Sequence, residues 1–299
     1  MIIHDIIRLR NHIDAVKNKK TPYRKYLDEM QKVLTRYSLE NSNTALDRTY
    51  EFMLTHQLND TSIAQIPYIV SDIFLKDKQG LKAIKDKLQE LTGPLYFYEK
   101  PVMKLSDDEI MAIDQETIKM LTEAEMLWIL DYANNVQIAR DITRIMTDSK
   151  AAGLDMTETA KALNAELSSY TPSEFAKRFG EEKYWKLVNH NATFRTKSYA
   201  TINQLDYAGV KQYQWITRGA EACPICVPYD QKIFTVSDAK GRMNAYFDAA
   251  KEGSVINMQK ADPFLDLDEA LLNPDGIMGM MPPIHHWCYC EIVIYYTEV

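Results

Sequence analysis

The spacing of hydrophobic residues changes from helical to strand-like along the chain. Over 182–207, apolar side chains recur close to the 3.6-residue period of a helix, at Trp185, Val188, Ala192 and Tyr199. We expect this stripe to face a core. After Gly209 the period becomes two, which predicts a strand with one face formed by Tyr213, Trp215 and Thr217. A run of β-branched and aromatic residues over 291–296 predicts a second, buried strand.

Capping signals predict where several helices begin. Thr21 followed by Pro22 predicts a helix start, because proline is tolerated at the first helical position. In a capping box, a side chain and a glutamate three residues later satisfy each other's backbone N–H groups. This pattern predicts further helix starts at Ser106, Thr122 and Thr171.

Glycine and proline are distributed unevenly. Residues 1–208 contain four Gly and five Pro, whereas residues 209–299 contain six Gly and six Pro. Because both residues interrupt regular structure, we expect a helical first part and a turn-rich last part with short strands. Pro94 and Pro101 predict a linker around 93–105, and two candidate left-handed C-caps are Gly180 and Gly209.

These signals predict an α+β protein that is predominantly α-helical. We divide it into an N-terminal helical region at 1–105, a helical connector at 106–182 and a small α+β module at 183–299. In the last of these, short strands flank a cluster of cysteine and histidine residues. The length of 299 residues agrees with about two domains.

Composition and charge exclude several classes of protein. Hydrophobic residues make up 46% of the chain, which is enough for a core and argues against a disordered protein. With 35 Lys and Arg against 42 Asp and Glu, the formal net charge is −7, which excludes a generally cationic nucleic-acid binder. No apolar run is long enough to span a bilayer, and the start shows no secretory signal. We therefore expect synthesis in a reducing cytoplasm.

All four cysteines lie in two closely spaced pairs near the C-terminus, a C-x-x-C and a C-x-C. In a reducing compartment, clustered cysteines more often bind a metal than form a disulfide. A tight C-x-x-C turn aims two thiolates at one ion, and a C-x-C on a strand places both thiols on one face. The sequence therefore predicts a structural zinc site that uses four of the donors Cys223, Cys226, His285, Cys288 and Cys290, with His286 as an alternative donor.

Other interpretations of these residues stay open. The cysteines can be reduced, packed thiols without a metal, or they can form disulfides or serve a redox role. A catalytic metal needs an open coordination position and a general base, so six crowded donors favour a closed, structural site. His190, on the predicted helix at 182–207, has no partner nearby in the sequence and is interpreted as a structural histidine.

Further motifs surround the cysteines in a fixed order. A Gly-Val turn at Gly209 precedes Trp215–Thr217, the C-x-x-C pair is followed by Asp230–Phe234, and Pro282–His285 leads to the C-x-C pair. In these motifs the chain resembles the phage Mu F-like head morphogenesis family, the minor head proteins of tailed phages. The resemblance covers about 183–296 and, more weakly, 106–182. Residues 1–105 carry no motif that we can name.

The chain also departs from the family pattern at single positions. Gln231 replaces the usual glycine, and the usual Pro, Asn and Arg are replaced by His286, Trp287 and Tyr289. The framework residues His285, Cys288 and Cys290 match the pattern. Arg195 and Thr196 match an Arg-Thr pair that is often found in the family.

The resemblance implies a minor capsid protein that associates with the portal inside the head. Such a protein assists procapsid assembly, DNA packaging or DNA delivery. The implied partners are the portal, capsid and scaffold proteins, with contact to packaged DNA as a further option. The implied location is the interior of the virion, after synthesis in the bacterial cytoplasm, and we expect no enzymatic activity.

Two other functions are kept as alternatives. The first is a toxin-like effector with a Mu F-type domain, which needs a catalytic constellation outside the cysteine module. The second is a regulator that binds nucleic acid and whose fold is held together by a zinc ion. Against the second, residues 223–299 contain five basic residues, which acidic residues outnumber: Lys232, Lys240, Arg242, Lys251 and Lys260.

Overall fold

Helices dominate the protein, and a small three-stranded sheet lies near the C-terminus. This computed structural model describes residues 21–98, 107–217, 223–272 and 275–295. The architecture confirms the predicted fold class, a predominantly helical α+β protein. Within the described ranges, no helix combines the length and apolar character needed to cross a membrane.

Eight helices of the described ranges precede the sheet in the chain. They are α1 (Pro22–Met53), α2 (Asp60–Lys76), α3 (Lys78–Tyr98), α4 (Asp107–Tyr132), α5 (Gln137–Ala151), α6 (Met156–Ser168), α7 (Pro172–Phe179) and α8 (Glu182–Tyr207). A short 3₁₀ turn, Ala133–Asn135, lies between α4 and α5.

Strands and shorter helices follow. They are β1 (Gln212–Ile216), the 3₁₀ turn Val227–Tyr229, β2 (Ile233–Thr235), α9 (Val236–Lys251), α10 (Val255–Ala261), α11 (Leu267–Leu272) and β3 (Glu291–Ile294). The strand order is β2-β1-β3 and both pairings are antiparallel. Tyr213 pairs with Phe234 on one side and with Ile294 on the other.

The chain forms two compact units, each made of segments that are separated in the sequence. The first comprises the described residues of Met1–Glu29, Leu88–Leu127 and Leu187–Val299, and the second comprises Met30–Lys87 and Trp128–Lys186. The predicted boundary at 105/106 falls outside the described residues. The linear division into three regions stays a prediction.

The second unit has an apolar core with a few polar anchors. Met30, Leu34 and Phe74 are fully buried. The hydroxyl of Tyr37 donates to the backbone oxygen of Phe74 over 2.6 Å. The indole Nε1 of Trp185 donates to Ser38 Oγ over 2.8 Å, so the large ring is buried without leaving its N–H unpaired.

The first unit contains most of α8, which runs over the predicted range 182–207. Ala192 and Tyr199 of the predicted stripe are buried. The polar residues Asn189, His190 and Arg195 are buried as well, so the helix is enclosed on more sides than a single stripe predicts. Buried polar groups need hydrogen-bond partners, and much of the chemistry of this unit follows from this requirement.

The strand predictions hold in one case and need correction in the other. In β1, Tyr213 and Trp215 are buried while Gln212, Gln214 and Ile216 are partly exposed, as the period of two predicts. Along β3, only Ile292 is buried, although the apolar run predicts a fully buried strand. The reason is that β3 pairs on one side alone among the described strands and forms an edge of the sheet.

One predicted helix break, at Pro94, is absent. The helix α3 continues through Pro94 to Tyr98, so the predicted linker does not begin at 93. Leu91, Leu95 and Tyr96 are buried, and this packing outweighs the backbone hydrogen bond that proline lacks. The rest of the predicted linker, with the capping box at Ser106, involves residues outside the described ranges.

The predicted helix start at Thr122 lies in the interior of α4. There the Thr122 hydroxyl donates to the backbone oxygen of Ile118 over 2.9 Å instead of capping a helix. By contrast, Thr171 caps α7 in a capping box with Glu174, and α1 begins at Pro22 after Thr21, as predicted.

One of the two predicted glycine caps has the expected backbone. Gly209 has φ +70 and follows the end of α8, with the N–H of Val210 bonded to the oxygen of Leu205. Gly180 has φ −76, and Glu181 takes the positive φ instead. The Glu181 carboxylate accepts the N–H of Gln137 over 2.6 Å, which holds this residue in place.

The C-terminal part contains more helix than its glycine and proline content predicts. The helix α9 has 16 residues and begins at a Thr235 side chain that accepts the N–H of Asp238. Thr235 and Asp238 have the residue types and the spacing of an N-cap signal.

Candidate metal centre

The two cysteine segments each form a tight turn. The N–H of Cys226 donates to the oxygen of Cys223 over 2.9 Å, and the N–H of Cys288 donates to the oxygen of His285 over 3.3 Å. Each turn places two donor side chains three positions apart. Although 58 residues separate Cys226 from His285 in the sequence, the fold brings the two turns together.

Within the described part of the chain, the donors form two groups whose ligand atoms lie within 4.8 Å of one another. One group is Cys223, Cys226 and His285, and the other is Cys226, Cys288 and Cys290. His285 Nε2 lies 2.9 Å from Cys223 Sγ and 3.0 Å from Cys226 Sγ. Cys226 belongs to both groups and joins them.

His285 is held in one orientation by its own loop. Its Nδ1 lies 2.6 Å from the backbone oxygen of His286. Since a carbonyl oxygen can only accept, Nδ1 carries the proton, and in the neutral ring the lone pair is then on Nε2. This lone pair points toward the thiols of Cys223 and Cys226.

The cluster lowers the pKa of one of its groups and raises the pKa of two others. Burial opposes ionisation of Cys288, but hydrogen bonds from Cys226, Cys290 and His285 lower the pKa of its thiol well below the usual value. Burial also disfavours a charged His285, while the hydrogen bond and charge of Cys288 raise the pKa of this histidine above its usual value. Hydrogen bonds to Cys288 and Cys290 and burial raise the pKa of Cys226.

This arrangement can hold a metal ion. A tetrahedral ion with sulfur ligands at about 2.3 Å places two sulfurs about 3.8 Å apart. The distance between Cys226 Sγ and Cys288 Sγ is 3.8 Å. Cys226, Cys288 and Cys290 are buried and Cys223 is partly exposed, so the cluster is largely shielded from water.

The other candidate donor, His286, has different partners. Its Nδ1 lies 3.1 Å from Asn191 Nδ2, and its ring packs edge-on against Phe264. The Nδ1 therefore accepts from the amide of Asn191. The His286 ring belongs to neither of the two donor groups in the described residues.

A third histidine lies beside the cluster. His190 is buried on α8, and its Nε2 lies 3.1 Å from the backbone oxygen of Cys288. Its ring also contacts Trp287 and Tyr289, with centroids 5.0 Å and 4.5 Å away. The interpretation as a packed histidine agrees with this burial, but its contact with the cysteine loop could not be read from the sequence.

The motif residues around the cysteines contact one another. Asp230 Oδ1 accepts from the backbone N–H of Thr217 over 2.8 Å and from its hydroxyl over 2.9 Å. Trp215 exchanges backbone hydrogen bonds with Gln231 and Lys232, each of 2.8 Å. Hydrogen bonds therefore join the Trp215–Thr217 and Asp230–Phe234 motifs, which lie on either side of the C-x-x-C turn in the sequence.

Sequence reasoning missed a buried cluster of charges in the same unit. Arg195 donates from Nε to Asp262 Oδ2 over 3.0 Å, and its Nη1 lies 3.4 Å from Glu125 Oε1. All three side chains are at most 7% exposed. The only sequence signal was that Arg195 belongs to a family-like Arg-Thr pair, and nothing in the sequence indicated its carboxylate partners.

Comparisons with protein-family models, with curated proteins and with solved structures gave no match for this chain.

Proposed function

We propose that this chain is a minor capsid protein of a tailed phage or prophage. It associates with the portal inside the head and assists procapsid assembly, DNA packaging or DNA delivery. In this proposal the Cys/His cluster holds a structural zinc ion, which links segments of the C-terminal module that are distant in the sequence.

The proposal rests on one observation: the motifs that carry the resemblance are also the residues that join the module. Thr217 and Asp230 hydrogen-bond to each other, and His285 contacts both Cys223 and Cys226. A module of the head morphogenesis type is expected to place its signature residues together in this way. No catalytic step is assigned to them.

The donor set suits zinc. Thiolate and imidazole ligands in a tetrahedral arrangement favour zinc or an iron–sulfur cluster over magnesium or calcium, which prefer oxygen. A bound zinc contributes folding energy because its ligands do not form a site in the unfolded chain. Four of the five residues Cys223, Cys226, His285, Cys288 and Cys290 supply its ligands.

The charges of the module favour a protein partner over bare DNA. Four of the five basic residues in 223–299 form ion pairs, with distances from 2.6 to 3.8 Å: Lys232 with Asp275, Lys240 with Asp206, Arg242 with Asp262 and Lys251 with Asp248. Phosphate binding needs basic groups that are not already neutralised. The net charge of −7 adds to this argument.

The test is co-expression with the portal protein from the same genome. A tagged portal ring should retain this chain through size-exclusion chromatography, while a portal ring from an unrelated phage should not. Deletion of the gene should lower the yield of infectious particles, and the wild-type gene should restore it. A Lys251→Ala variant, changed at an exposed ion pair, serves as the matched control and should restore the yield equally.

The proposal is wrong if the portal does not retain the chain and the deletion leaves particle yield unchanged. Growth arrest on expression of the chain alone would favour the toxin-like alternative. Salt-dependent binding to DNA would favour the regulator.

A further inference from the structure

We propose that the metal is held by two matching turns, Cys223 with Cys226 and His285 with Cys288, and that Cys290 is a packed thiol outside the coordination shell. The assignment rests on the proposed metal at this cluster. It selects one set of four from the five donors that lie together.

The first argument is the matching geometry of the two turns. In each, the N–H of the second donor residue bonds to the oxygen of the first, Cys226 to Cys223 and Cys288 to His285. A spacing of two residues between ligands is typical of structural zinc sites, which commonly take ligands in pairs from two such turns. Cys290 lies beyond the second turn and has no equivalent in the first.

The second argument is that His285 already has the tautomer and the ring orientation of a metal ligand. Its Nδ1 proton is bound by the backbone oxygen of His286, at 2.6 Å. Histidines that bind metals almost always donate their other ring N–H to such an acceptor, which fixes the tautomer and the ring orientation. The Nε2 lone pair, which faces both sulfur atoms, is then available to an ion that lies between them.

The third argument concerns the positions of Cys288 and Cys290, whose Sγ atoms both lie within 4.8 Å of Cys226 Sγ. Cys288 Sγ lies 3.8 Å from Cys226 Sγ, which is the edge length of a zinc–thiolate tetrahedron. Cys290 directly precedes β3, where Ile292 pairs with Trp215. Cys290, Ile292 and Trp215 are all buried, so Cys290 packs beside the sheet. Cys288, by contrast, closes the turn that begins at His285.

The assignment has a chemical consequence. Three thiolates and one neutral imidazole around Zn²⁺ carry a net charge of −1, whereas four thiolates carry −2. The lower charge is easier to bury in a cluster where three of the cysteines are buried. Cys290 then stays a protonated thiol.

The first experiment uses the unmodified protein and needs no variant. The full chain is purified, loaded with zinc, and its X-ray absorption fine structure is measured at the zinc edge. We expect three sulfur ligands at about 2.3 Å and one nitrogen at about 2.0–2.1 Å. A shell of four sulfurs would overturn the assignment.

The second experiment compares three alanine variants of the full chain, Cys290→Ala, Cys288→Ala and His285→Ala. Zinc per chain is measured by elemental analysis, and affinity by competition with a chromophoric chelator. Cys290→Ala should keep one zinc with an affinity within about threefold of wild type. The other two should lose more than about 100-fold in affinity, because removal of a hydrogen-bond partner of a ligand already costs 10–100-fold.

The outcomes separate the two proposals. Loss of zinc from Cys290→Ala, or its retention by His285→Ala, overturns this donor assignment and leaves the proposed zinc and portal association standing. A wild-type chain that binds no added zinc overturns both the assignment and the zinc part of the proposed function. Portal association is measured independently of all these variants.

Discussion

Arg195 on α8 donates from Nε to Oδ2 of Asp262 over 3.0 Å, and both side chains are almost fully buried. The guanidinium also faces Glu125 of α4 and lies over the ring of Tyr246, 4.9 Å from its centroid. The cluster thus joins α4, α8, α9 and the segment after α10. Because the charges are out of water, each depends on the others for compensation.

Removal of Arg195 should therefore be costly. We expect Arg195→Met to lower the free energy of unfolding by about 3–5 kcal/mol, since Glu125 loses its cation and Asp262 keeps only the longer contact with Arg242, at 3.5 Å. Chemical denaturation measures the change. The matched control is Arg36→Met, which removes an exposed arginine paired with Glu40 and should change stability by less than about 0.5 kcal/mol. A similar small effect for Arg195→Met would contradict the structural role of the cluster.

Glu125 gives this cluster a pH dependence. Burial raises the pKa of Glu125 from 4.5 to about 7, against the lowering effect of Arg195. Because the folded state binds the proton more tightly than the unfolded state, the resulting stabilisation is complete below about pH 4.5 and is lost as the pH rises through 7. Relative to Glu125→Gln, wild type should lose about 3 kcal/mol of stability between pH 4.5 and 8.

The measurement is a series of denaturation curves across that pH range for both proteins. The difference between them removes the contributions of other titrating groups. Parallel stability curves would show that Glu125 has a pKa near its ordinary value in the folded protein.

Substitution by alanine should lower stability by different amounts at two glycines that have the same φ angle. Gly209 and Gly279 both have φ +70, which an L side chain adopts only with strain. A Cβ on Gly209 would meet nothing within 4 Å, so Gly209→Ala should cost about 1–2 kcal/mol. A Cβ on Gly279 would lie 2.4 Å from the backbone carbon of Asp238, in the first turn of α9.

Gly279→Ala should therefore cost about 1–3 kcal/mol more than Gly209→Ala, because the loop has to move away from α9. Thermal or chemical unfolding of both variants measures the difference. Equal costs would mean that the loop at Gly279 moves aside without loss of packing.

Metal removal should destabilise the C-terminal module. If zinc is bound as proposed, a strong chelator should lower the unfolding temperature and increase hydrogen exchange at 223–235 and 284–295, because the ion joins these segments. A Cys223→Ser variant should resemble the chelated protein and show no further response to the chelator. Identical unfolding of wild type with and without chelator would contradict a structural metal.

The sequence predicted local features best where one residue type has one strong conformational use. The N-caps at Thr21 and Thr171, the positive φ of Gly209 and the alternation in β1 were all predictable. Predictions failed where packing outweighed a local signal, as at Pro94, which lies inside α3 between buried side chains.

The candidate site, too, was predictable only in part. Residue type and spacing were enough to identify Cys223, Cys226, His285, Cys288 and Cys290 as possible donors, because few side chains bind soft metals. Spacing could not show that Cys226 belongs to both donor groups, or that His286 contacts Asn191 instead. These facts depend on how two loops approach each other.

By itself, the sequence determined a mainly helical α+β protein with a metal-capable cluster of cysteines and histidine near its C-terminus. Hydrophobic periodicity, capping residues and short ligand spacings are local properties, and each acts within a few positions of the chain. Only the tertiary structure decided that Arg195 meets Asp262 and Glu125, and that His190 lies against the loop of Cys288. Such contacts join residues 67 to 98 positions apart, and they are fixed by the need of buried charges and polar groups to find partners.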